Sequence, residues 1–259
     1  MSAPLIDDPE LEAGSFDAEA FAGHALASPQ NLAAVLDHTL LKPEATRDQV
    51  AKLCREAAEY RFACAMVNPV WAAFACSELA GSGVPAGVVI GFPLGASLAT
   101  TKRDETAILV RLGAHDIDMV LNIGLLRSGD NRAVQQDIRG VAEIAHDAGA
   151  IVKVILETCL LNVEEKLRAS ELAIAAGADF LKTSTGFSTG GATPEDIALM
   201  RGVAGSRCGI KASGGIRTLD DARRMLSAGA SRIGASASVA IVRELTQGSE
   251  RGAQNTGGY

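Results

Sequence analysis

The stretch GADFLKTSTGF, residues 177–187, combines features that recur along the chain: a glycine after a helical segment, a short apolar strand and a polar loop. Gly177 stands where a helix would end in a left-handed cap, and Phe180 begins a strand that contains Lys182. The same order recurs at GAHDIDMV (113–120), GAIVKVIL (149–156) and GASRIGAS (229–236). The sequence therefore repeats one strand–helix unit.

Eight such units fit the sequence at a spacing of roughly 25–30 residues. The predicted strands begin at Leu36, Phe62, Gly87, Asp116, Ile151, Phe180, Gly209 and Arg232. Short strands that are apolar on both faces are typical of parallel strands covered by helices. The sequence therefore predicts an α/β fold, a closed (β/α)8 TIM barrel. An open doubly wound sheet is the alternative, but the GxGxxG motif expected after its first strand is missing.

The segments outside the barrel are expected to be small. Residues 1–35 are predicted to form an N-terminal extension with short helices, and residues 36–247 the barrel. The last helix is predicted from Ser238 to Thr246. Residues 248–259, GSERGAQNTGGY, are rich in glycine and polar groups and should form a flexible tail.

Composition and charge exclude several classes of protein. The 259 residues carry a formal net charge of −7, without the clustered basic residues of a nucleic-acid surface. A membrane span needs about 18 consecutive apolar residues, and no segment approaches that length. The acidic N-terminus does not resemble a signal peptide. The five cysteines lack CxxC spacing, which indicates reduced thiols. We therefore expect a cytoplasmic protein that binds neither nucleic acid nor membranes.

Lys182 is placed between an apolar strand and a loop rich in hydroxyl groups and glycine. Burial lowers the pKa of a lysine, and the neutral amine is a nucleophile towards carbonyl groups. A lysine at a strand end more often extends to solvent or pairs with a carboxylate, however. The stretch by itself leaves both interpretations open.

Polar residues in neighbouring strands favour the reactive interpretation. Lys153, Lys182 and Lys211 lie within apolar strands of three successive units, and Asp118 lies within the strand before them. In a barrel these side chains would share one cavity near the C-terminal ends of the strands. A nearby ammonium group lowers the pKa of a lysine, and a carboxylate can transfer protons. The alternative is a buried ion network of the lysines with Asp118 and Glu157.

Glycines are concentrated after the last three predicted strands. Gly186, Gly214, Gly215, Gly234 and Ser236 would place backbone amides at one edge of the barrel mouth. The loops after the last strands commonly hold phosphate in such barrels, and amides bind phosphate without a net positive charge. The alternative is that each glycine only serves its turn.

Other conspicuous residues are predicted to be structural. His38 would point away from the neighbouring Asp37, and the cysteines, Trp71 and Met66 are suited to the core. The four histidines are scattered, and no group of histidine, cysteine and carboxylate has the spacing of metal ligands. We therefore expect neither a metal nor an organic cofactor.

Eight motifs between Leu36 and Val242 resemble those of the deoxyribose-phosphate aldolase family, whose members are class I, lysine-dependent aldolases on a (β/α)8 barrel. The motifs are DHTLLKPEAT (37–46), VNPVW (67–71), GFPLGAS (91–97), DIDMVLN (116–122), KVILET (153–158), FLKTSTGF (180–187), IKASGGIRT (210–218) and RIGAS (232–236). They cover most of the predicted barrel.

The resemblance implies a role for each matching residue. Lys182 would be the Schiff-base nucleophile, Lys211 the neighbour that lowers its pKa, and Asp118 a proton relay. Tyr259 resembles a tail tyrosine that assists proton exchange at the mouth, and a disordered tail is the alternative. The substrate would be bound by Asp37, Thr39, Lys153 and Thr185. The phosphate would be bound by Gly186, Gly214, Gly215, Gly234 and Ser236.

The chain departs from the family pattern at three positions. Phe187 stands where some members carry a lysine that helps to hold the phosphate, and Ala237 where many have a second serine. Met66 stands where many have a cysteine. Because enals derived from acetaldehyde attack thiols, we predict tolerance of high aldehyde concentrations.

The implied reaction is the reversible cleavage of 2-deoxy-D-ribose 5-phosphate into acetaldehyde and D-glyceraldehyde 3-phosphate. Its partners would be the phosphorylated sugar, the aldehydes and further copies of the chain in a homodimer or another homo-oligomer. A different Schiff-base aldolase or a transaldolase is the nearest alternative. A phosphate-binding isomerase and a catalytically inactive ligand-binding barrel also remain open.

Overall fold

The computed structural model describes residues 16–255, with side chains described through residue 247. Eight parallel strands close into one barrel in the order of the sequence. They are β1 (Leu36–Leu40), β2 (Cys64–Val67), β3 (Ala86–Ile90), β4 (Asp116–Val120), β5 (Ile151–Ile155), β6 (Phe180–Lys182), β7 (Gly209–Ser213) and β8 (Arg232–Ala235). The predicted (β/α)8 barrel is confirmed, and the doubly wound alternative is wrong.

Helices cover the outside of the barrel. They are α1 (Ala18–Ala25), α2 (Pro29–Ala33), α3 (Arg47–Tyr60), α4 (Ala72–Glu78), α5 (Ala99–Arg111), α6 (Ile123–Arg127), α7 (Asn131–Asp147), α8 (Val163–Ala175), α9 (Pro194–Ala204), α10 (Leu219–Ser227) and α11 (Ser238–Asn255). Two short 3-10 helices, Pro69–Trp71 and Thr158–Leu160, follow β2 and β5. Helix α6 was not predicted, because its five residues are too few to show a period. Helix α11 ends at Asn255, beyond the predicted end at Thr246.

Local sequence explains where several helices begin and end. Reciprocal capping boxes open α3, α8 and α10, where the capping side chains are Thr46, Asn162 and Thr218. Glycines precede five strands at positive φ between 73° and 112°, as predicted from the recurring turns: Gly83, Gly113, Gly149, Gly177 and Gly229. These glycines end the preceding segment and turn the chain into the barrel.

The strand register places the ionisable side chains together inside the barrel. Asp118 is opposite Lys153 across β4 and β5, and Lys182 is opposite Lys211 across β6 and β7. Gly234 in β8 provides room for this arrangement, because a Cβ there would lie 2.9 Å from Lys211 Cε. The barrel interior is therefore shaped to hold long charged side chains.

The N-terminal helices pack on the outside of the last units. Helix α1 contacts α10, and α2 contacts α11. The Arg201 guanidinium lies 3.8 Å from the centre of the Phe16 ring, which joins the first described residue to α9. Within residues 16–255, no helix combines the length and the apolar character that crossing a membrane would require.

Candidate active site

Lys182 is the last residue of β6, and its side chain points into the barrel. The residue is only 3% exposed, so the solvent-exposed interpretation of this lysine is wrong. Its Nζ donates a hydrogen bond to Asp118 Oδ2 at 2.8 Å. The amine therefore lies in a desolvated site, and its nearest charged partner is the carboxylate on β4.

Asp118 is shared by three ammonium groups. Lys211 Nζ donates to the same Oδ2 atom at 2.7 Å, and Lys153 Nζ lies 3.1 Å from Oδ1. Together with Lys182, these lysines surround one carboxylate that is fully buried. Lys182 therefore competes with two other cations for its only ion-pair partner among the described residues.

A second layer of charges lies below this group, towards the N-terminal ends of the strands. Asp37 Oδ2 is 2.5 Å from Lys211 Nζ, and Asp37 Oδ1 accepts a hydrogen bond from Arg232 at 2.9 Å. Asp116 accepts a short hydrogen bond from Lys153. Our sequence analysis included neither Arg232 nor Asp116 in the site, although Asp116 shares the alternation that puts Asp118 on the inner face.

The predicted ion network exists, but its carboxylates differ from those expected. Asp37 and Asp116 join Asp118, whereas Glu157 forms no ion pair within the described part of the chain. Glu157 instead accepts hydrogen bonds from Thr185, from the backbone amide at 3.3 Å and from the hydroxyl group. Its φ of 55° turns the chain sharply at the end of β5. Glu157 therefore fixes the loop after Lys182.

The electrostatic environment makes Lys182 unusual among these groups. Burial, opposed by Asp118 and reinforced by Lys211 and Lys153, lowers the pKa of Lys182 to about 8. For Lys153 burial acts in the same direction, but Asp116, Asp118 and Asp37 outweigh it and raise its pKa. Burial opposes ionisation of Asp118, yet the three lysines hold its pKa well below the usual range. The surroundings of Lys182 therefore favour its neutral amine more than those of an exposed lysine would.

Two predicted substrate-binding residues lie at the C-terminal ends of their strands. Thr39 is partly buried, and its Oγ1 donates to the Asp37 carbonyl at 2.9 Å. Thr185 is buried, and its Oγ1 accepts a hydrogen bond from the Phe187 amide at 3.0 Å. Lys153 and Asp37 are fully buried under Asp118. Their side chains are therefore less able to contact a substrate directly.

The predicted phosphate-binding residues divide into two groups. Gly186, Gly214 and Gly215 lie after β6 and β7 at positive φ, between 82° and 89°. A Cβ at Gly186 or Gly215 would meet no atom within 4 Å, so both positions face open space. Ser236 follows β8 and is exposed. Gly234 lies within β8, where its lack of a side chain accommodates Lys211 and Ser213; its role towards phosphate stays a prediction.

An aromatic pair connects two loops at the barrel mouth. Phe187, after β6, lies edge-on to Phe92, after β3, with ring centres 5.3 Å apart and an interplanar angle of 88°. Phe187 is 49% exposed, and Phe92 packs on a small cluster that includes Met66. Sequence analysis did not predict this contact. Tyr259 lies outside the described residues, and its predicted role is untested.

Some residues predicted to be structural lie away from Lys182. His38 faces outward, and its Nε2 lies 3.0 Å from Glu56 Oε2 in α3. Trp71 packs edge-on against Phe74 outside the barrel, with ring centres 6.2 Å apart. These contacts agree with the structural interpretation. Cys54, Cys64 and Cys208 are buried as predicted, whereas Cys159 is exposed, so the prediction of a core position is wrong for Cys159.

Asp37, Cys64 and Asp116 form the one described group of potential metal ligands, with donor atoms within 4.8 Å of one another. Sequence spacing did not predict this group. Both carboxylates already pair with lysine or arginine, and burial raises the pKa of the Cys64 thiol well above its usual value. The donor set is therefore poorly suited to a divalent cation, because the thiol is neutral and the cavity already contains several positive charges.

The fold and the cavity define a class: a (β/α)8 barrel with a buried lysine able to act as a nucleophile. Residues 32–248 match the model of the DeoC/LacD family aldolases. The chain is 56% identical over 218 residues to deoxyribose-phosphate aldolases of Bacillus mycoides and Bacillus cereus, which covers 84% of this chain and 97% of each relative. The chain therefore belongs to the DeoC/LacD aldolase family, which makes it a carbon–carbon lyase by family.

Solved structures agree with this assignment. A deoxyribose phosphate aldolase from Aeropyrum pernix, described as a unique tetramer, superposes with a TM-score of 0.83 at 36% identity. The superposition covers 89% of this chain and 97% of that one. The fold of the chain is thus the fold of a structurally characterised aldolase.

Proposed function

We propose that this chain is a deoxyribose-phosphate aldolase that cleaves 2-deoxy-D-ribose 5-phosphate reversibly into acetaldehyde and D-glyceraldehyde 3-phosphate. The observation that carries the proposal is Lys182, a buried amine whose pKa is lowered to about 8 and which shares Asp118 with two other lysines. The relatives named above, of which the chain covers nearly the whole length, support the choice of substrate.

The chemistry begins at the amine of Lys182. Its neutral form attacks the C1 aldehyde of the open-chain sugar, and loss of water gives an iminium ion. The iminium group withdraws electrons, so the C2–C3 bond breaks while the C3 hydroxyl loses its proton. The enamine left on Lys182 is then protonated at carbon, and hydrolysis releases acetaldehyde.

The hydrogen bonds of Asp118 support a role as proton relay in these steps. Its Oδ2 atom bridges Lys182 and Lys211, at 2.8 Å and 2.7 Å. A proton released near Lys182 can pass to this pair through one intervening water molecule. We assign the relay to Asp118 and Lys211, with Tyr259 as a further donor from the tail.

The remaining predicted contacts fit the rest of the substrate. Thr39 orients the sugar on the β1 side, and Thr185 is suited to its hydroxyl groups. Asp37 is buried and acts indirectly, since its carbonyl holds Thr39 Oγ1 and its carboxylate pairs with Lys211. Lys153 is surrounded by carboxylates, which favours a role in holding Asp118. The phosphate would be held by backbone amides and a hydroxyl group at the β6–β8 edge: Gly186, Gly214, Gly215, Gly234 and Ser236.

The assembly and the cellular location of the chain are part of the proposal. The Aeropyrum pernix relative is described as a tetramer, and we propose that this chain also forms a homo-oligomer. Phosphorylated sugars are intracellular compounds, so we expect the enzyme in the cytoplasm. Light scattering after gel filtration would give the oligomeric state directly, and a monomer mass would contradict the proposed assembly.

The test of the proposed function is reductive trapping. Incubation with acetaldehyde and borohydride should replace one N–H hydrogen of Lys182 with an ethyl group, a net gain of C2H4 that peptide mapping locates on Lys182. Turnover of deoxyribose 5-phosphate should persist in EDTA. No adduct, or an adduct on Lys211 alone, would contradict the assigned roles. An isomerase or an inactive barrel would give no selective adduct on Lys182.

Tolerance of aldehyde is a second proposal, supported by the surroundings of Met66. Its Sδ atom lies 3.5 Å from Cys64 Sγ inside the barrel, and Cys64 is fully buried with a raised thiol pKa. Because thiolates react with enals, this interior offers little reactive sulfur. We predict that Met66→Cys shortens the half-life of activity in concentrated acetaldehyde several-fold. Rapid inactivation of the unsubstituted enzyme, unrelieved by replacing its cysteines, would refute the idea.

A further inference from the structure

The buried cluster contains more basic groups than carboxylates. Its basic members lie on the last four strands: Lys153, Lys182, Lys211 and Arg232. Its acidic members lie on β1 and β4: Asp37, Asp116 and Asp118. Ionised carboxylates can therefore neutralise all the basic groups except one. Because a net charge in a desolvated cavity is costly, one basic group is favoured to be neutral.

Arg232 lies at the opposite end of the cluster from the reactive amine. It is the first residue of β8, and its side chain is 17% exposed. Its guanidinium group donates a hydrogen bond to Asp37 Oδ1 at 2.9 Å. Asp37 in turn pairs with Lys211, and Lys211 with Asp118. A continuous series of ion pairs thus connects Arg232 to the carboxylate that Lys182 uses.

We propose that Arg232 is a positioning residue for the reaction: by neutralising Asp37 it leaves Lys211 available to Asp118, and so keeps Lys182 as the uncharged member of the cluster. This inference rests on the proposed function, because it assigns a cause to the reactivity of Lys182. Arg232 would contact neither the substrate nor the reacting atoms.

The physical reason is competition for carboxylates. Guanidinium groups do not lose their proton in proteins, so Arg232 holds a permanent positive charge beside Asp37. Without it, Asp37 would depend on Lys211 and on the more distant Lys153, whose Nζ lies 3.7 Å from Asp37 Oδ2, and Lys211 would be drawn away from Asp118. Asp118 would then be free to stabilise the ammonium form of Lys182. Removing Arg232 should therefore favour protonated, unreactive Lys182.

Two further ionisable groups, His115 and Cys64, lie next to the cluster. Asp116 is held by Lys153 and by His115, whose Nδ1 lies 3.6 Å from Asp116 Oδ1. The neighbouring Asp116 carboxylate raises the pKa of His115. Cys64, on β2, stays a neutral thiol because burial raises its pKa. Arg232 is accordingly the only fixed charge among the described groups of the cluster, which makes it the appropriate residue to replace.

The test measures how fast acetaldehyde is trapped on Lys182 as a function of pH. Cyanoborohydride in excess makes imine formation limiting, and intact-mass spectrometry follows the adduct. In the unsubstituted enzyme the rate should rise with pH around the Lys182 pKa of about 8. Arg232→Met should move this rise upward by about one pH unit, which slows trapping at pH 7 about tenfold. Arg232→Lys should largely restore the original profile.

Asp116→Asn provides the opposite change. It removes a negative charge from the same cluster, so the rise should move to lower pH. In the double variant Arg232→Met/Asp116→Asn one charge of each sign is lost, and the profile should return towards that of the unsubstituted enzyme. Arg201→Met is the matched control, because Arg201 is partly buried but contacts no member of the cluster: its guanidinium binds the backbone carbonyls of Gly229, Gly205 and Cys208 and lies over the Phe16 ring. Its profile should not move.

The outcomes separate this inference from the proposed function. If the unsubstituted enzyme traps no acetaldehyde, the proposed function fails. If it traps normally and folded Arg232→Met keeps the same profile, only the role of Arg232 is refuted. If Arg232→Met does not fold, Asp116→Asn decides the question. An unmoved pH profile in that variant would refute the proposal that the charge balance of the cluster controls Lys182. A lower melting temperature without a change of profile would indicate a merely structural arginine.

Discussion

Two buried lysines of this molecule differ in what surrounds them. Lys102, in α5 outside the barrel, is fully buried, and its Nζ donates to Asp137 Oδ2 at 2.5 Å and to the Val120 carbonyl at 2.9 Å. Lys182, inside the barrel, is almost as buried but shares its carboxylate with Lys153 and Lys211. Burial is therefore common to both sites. The sites differ in the number of cations per carboxylate and in the carbonyl that accepts a further hydrogen bond from Lys102.

The difference teaches what makes an amine reactive in a protein interior. A closed pair of one lysine and one carboxylate, with a carbonyl accepting a further hydrogen bond, stabilises the ammonium form and is suited to joining α5 to α7. A carboxylate surrounded by three lysines cannot stabilise all of them equally. Desolvation then lowers the pKa of the least compensated amine, which here is Lys182.

Removing the amine itself should have the largest effect. We expect Lys182→Leu to abolish the acetaldehyde adduct and to reduce turnover at least ~10³-fold, because no other group can form the imine in its place. The measurement is kcat/KM for deoxyribose 5-phosphate, with circular dichroism to show that the fold persists. Residual turnover above a tenth of the original value would contradict the assignment.

Replacing one of the competing cations should have the next largest effect. In Lys211→Leu, Lys182 competes with fewer ammonium groups, so its pKa should rise above about 8. Below its pKa the amine is protonated and unreactive, so the rise of activity with pH should begin later. We expect activity at pH 7 to fall about 10- to 100-fold, with an optimum at higher pH. An unchanged optimum would show that charge competition does not control Lys182.

Much of this comparison could be predicted from the sequence. Side chains of a strand alternate between its faces, so Asp118, Lys153, Lys182 and Lys211 could be placed inside the barrel before any coordinates were known. The helix-ending glycines, such as Gly177, gave the repeat and hence the closed barrel. Both inferences depend on local periods, which a single sequence contains.

The contacts that could not be predicted from the sequence join residues far apart in the chain. Arg232 opens a strand after a polar turn and looks like a solvent-exposed residue, while its partner Asp37 lies 195 positions away. The Lys102–Asp137 pair joins two helices whose relative placement is set by the whole barrel. The contact between Phe92 and Phe187 depends on loop conformations, which have no period to detect.

The closed pair can be broken directly. We expect Lys102→Met to lower the free energy of unfolding by about 3–5 kcal/mol, because Asp137 would keep a buried charge without a partner. The loss should shrink as pH falls, since protonated Asp137 needs no counter-ion. Urea unfolding at several pH values measures this, and Lys102→Met/Asp137→Leu should recover most of the loss. Trapping on Lys182 should stay within about twofold, because the two sites share no charged group.

A lysine placed at the mouth would add a third environment to the comparison. Phe187 is half-exposed beside the glycines of the proposed phosphate edge, so Phe187→Lys should present an ordinary solvated ammonium group. We expect KM for deoxyribose 5-phosphate to fall about two- to fivefold, since exposed ion pairs contribute little, with kcat nearly unchanged. Phe187→Leu serves as the uncharged control. The new lysine should form no acetaldehyde adduct at neutral pH, because neither burial nor a neighbouring cation would favour its neutral form. An adduct there as abundant as that on Lys182 would mean that access to solvent, and not competition for carboxylates, selects the reactive amine.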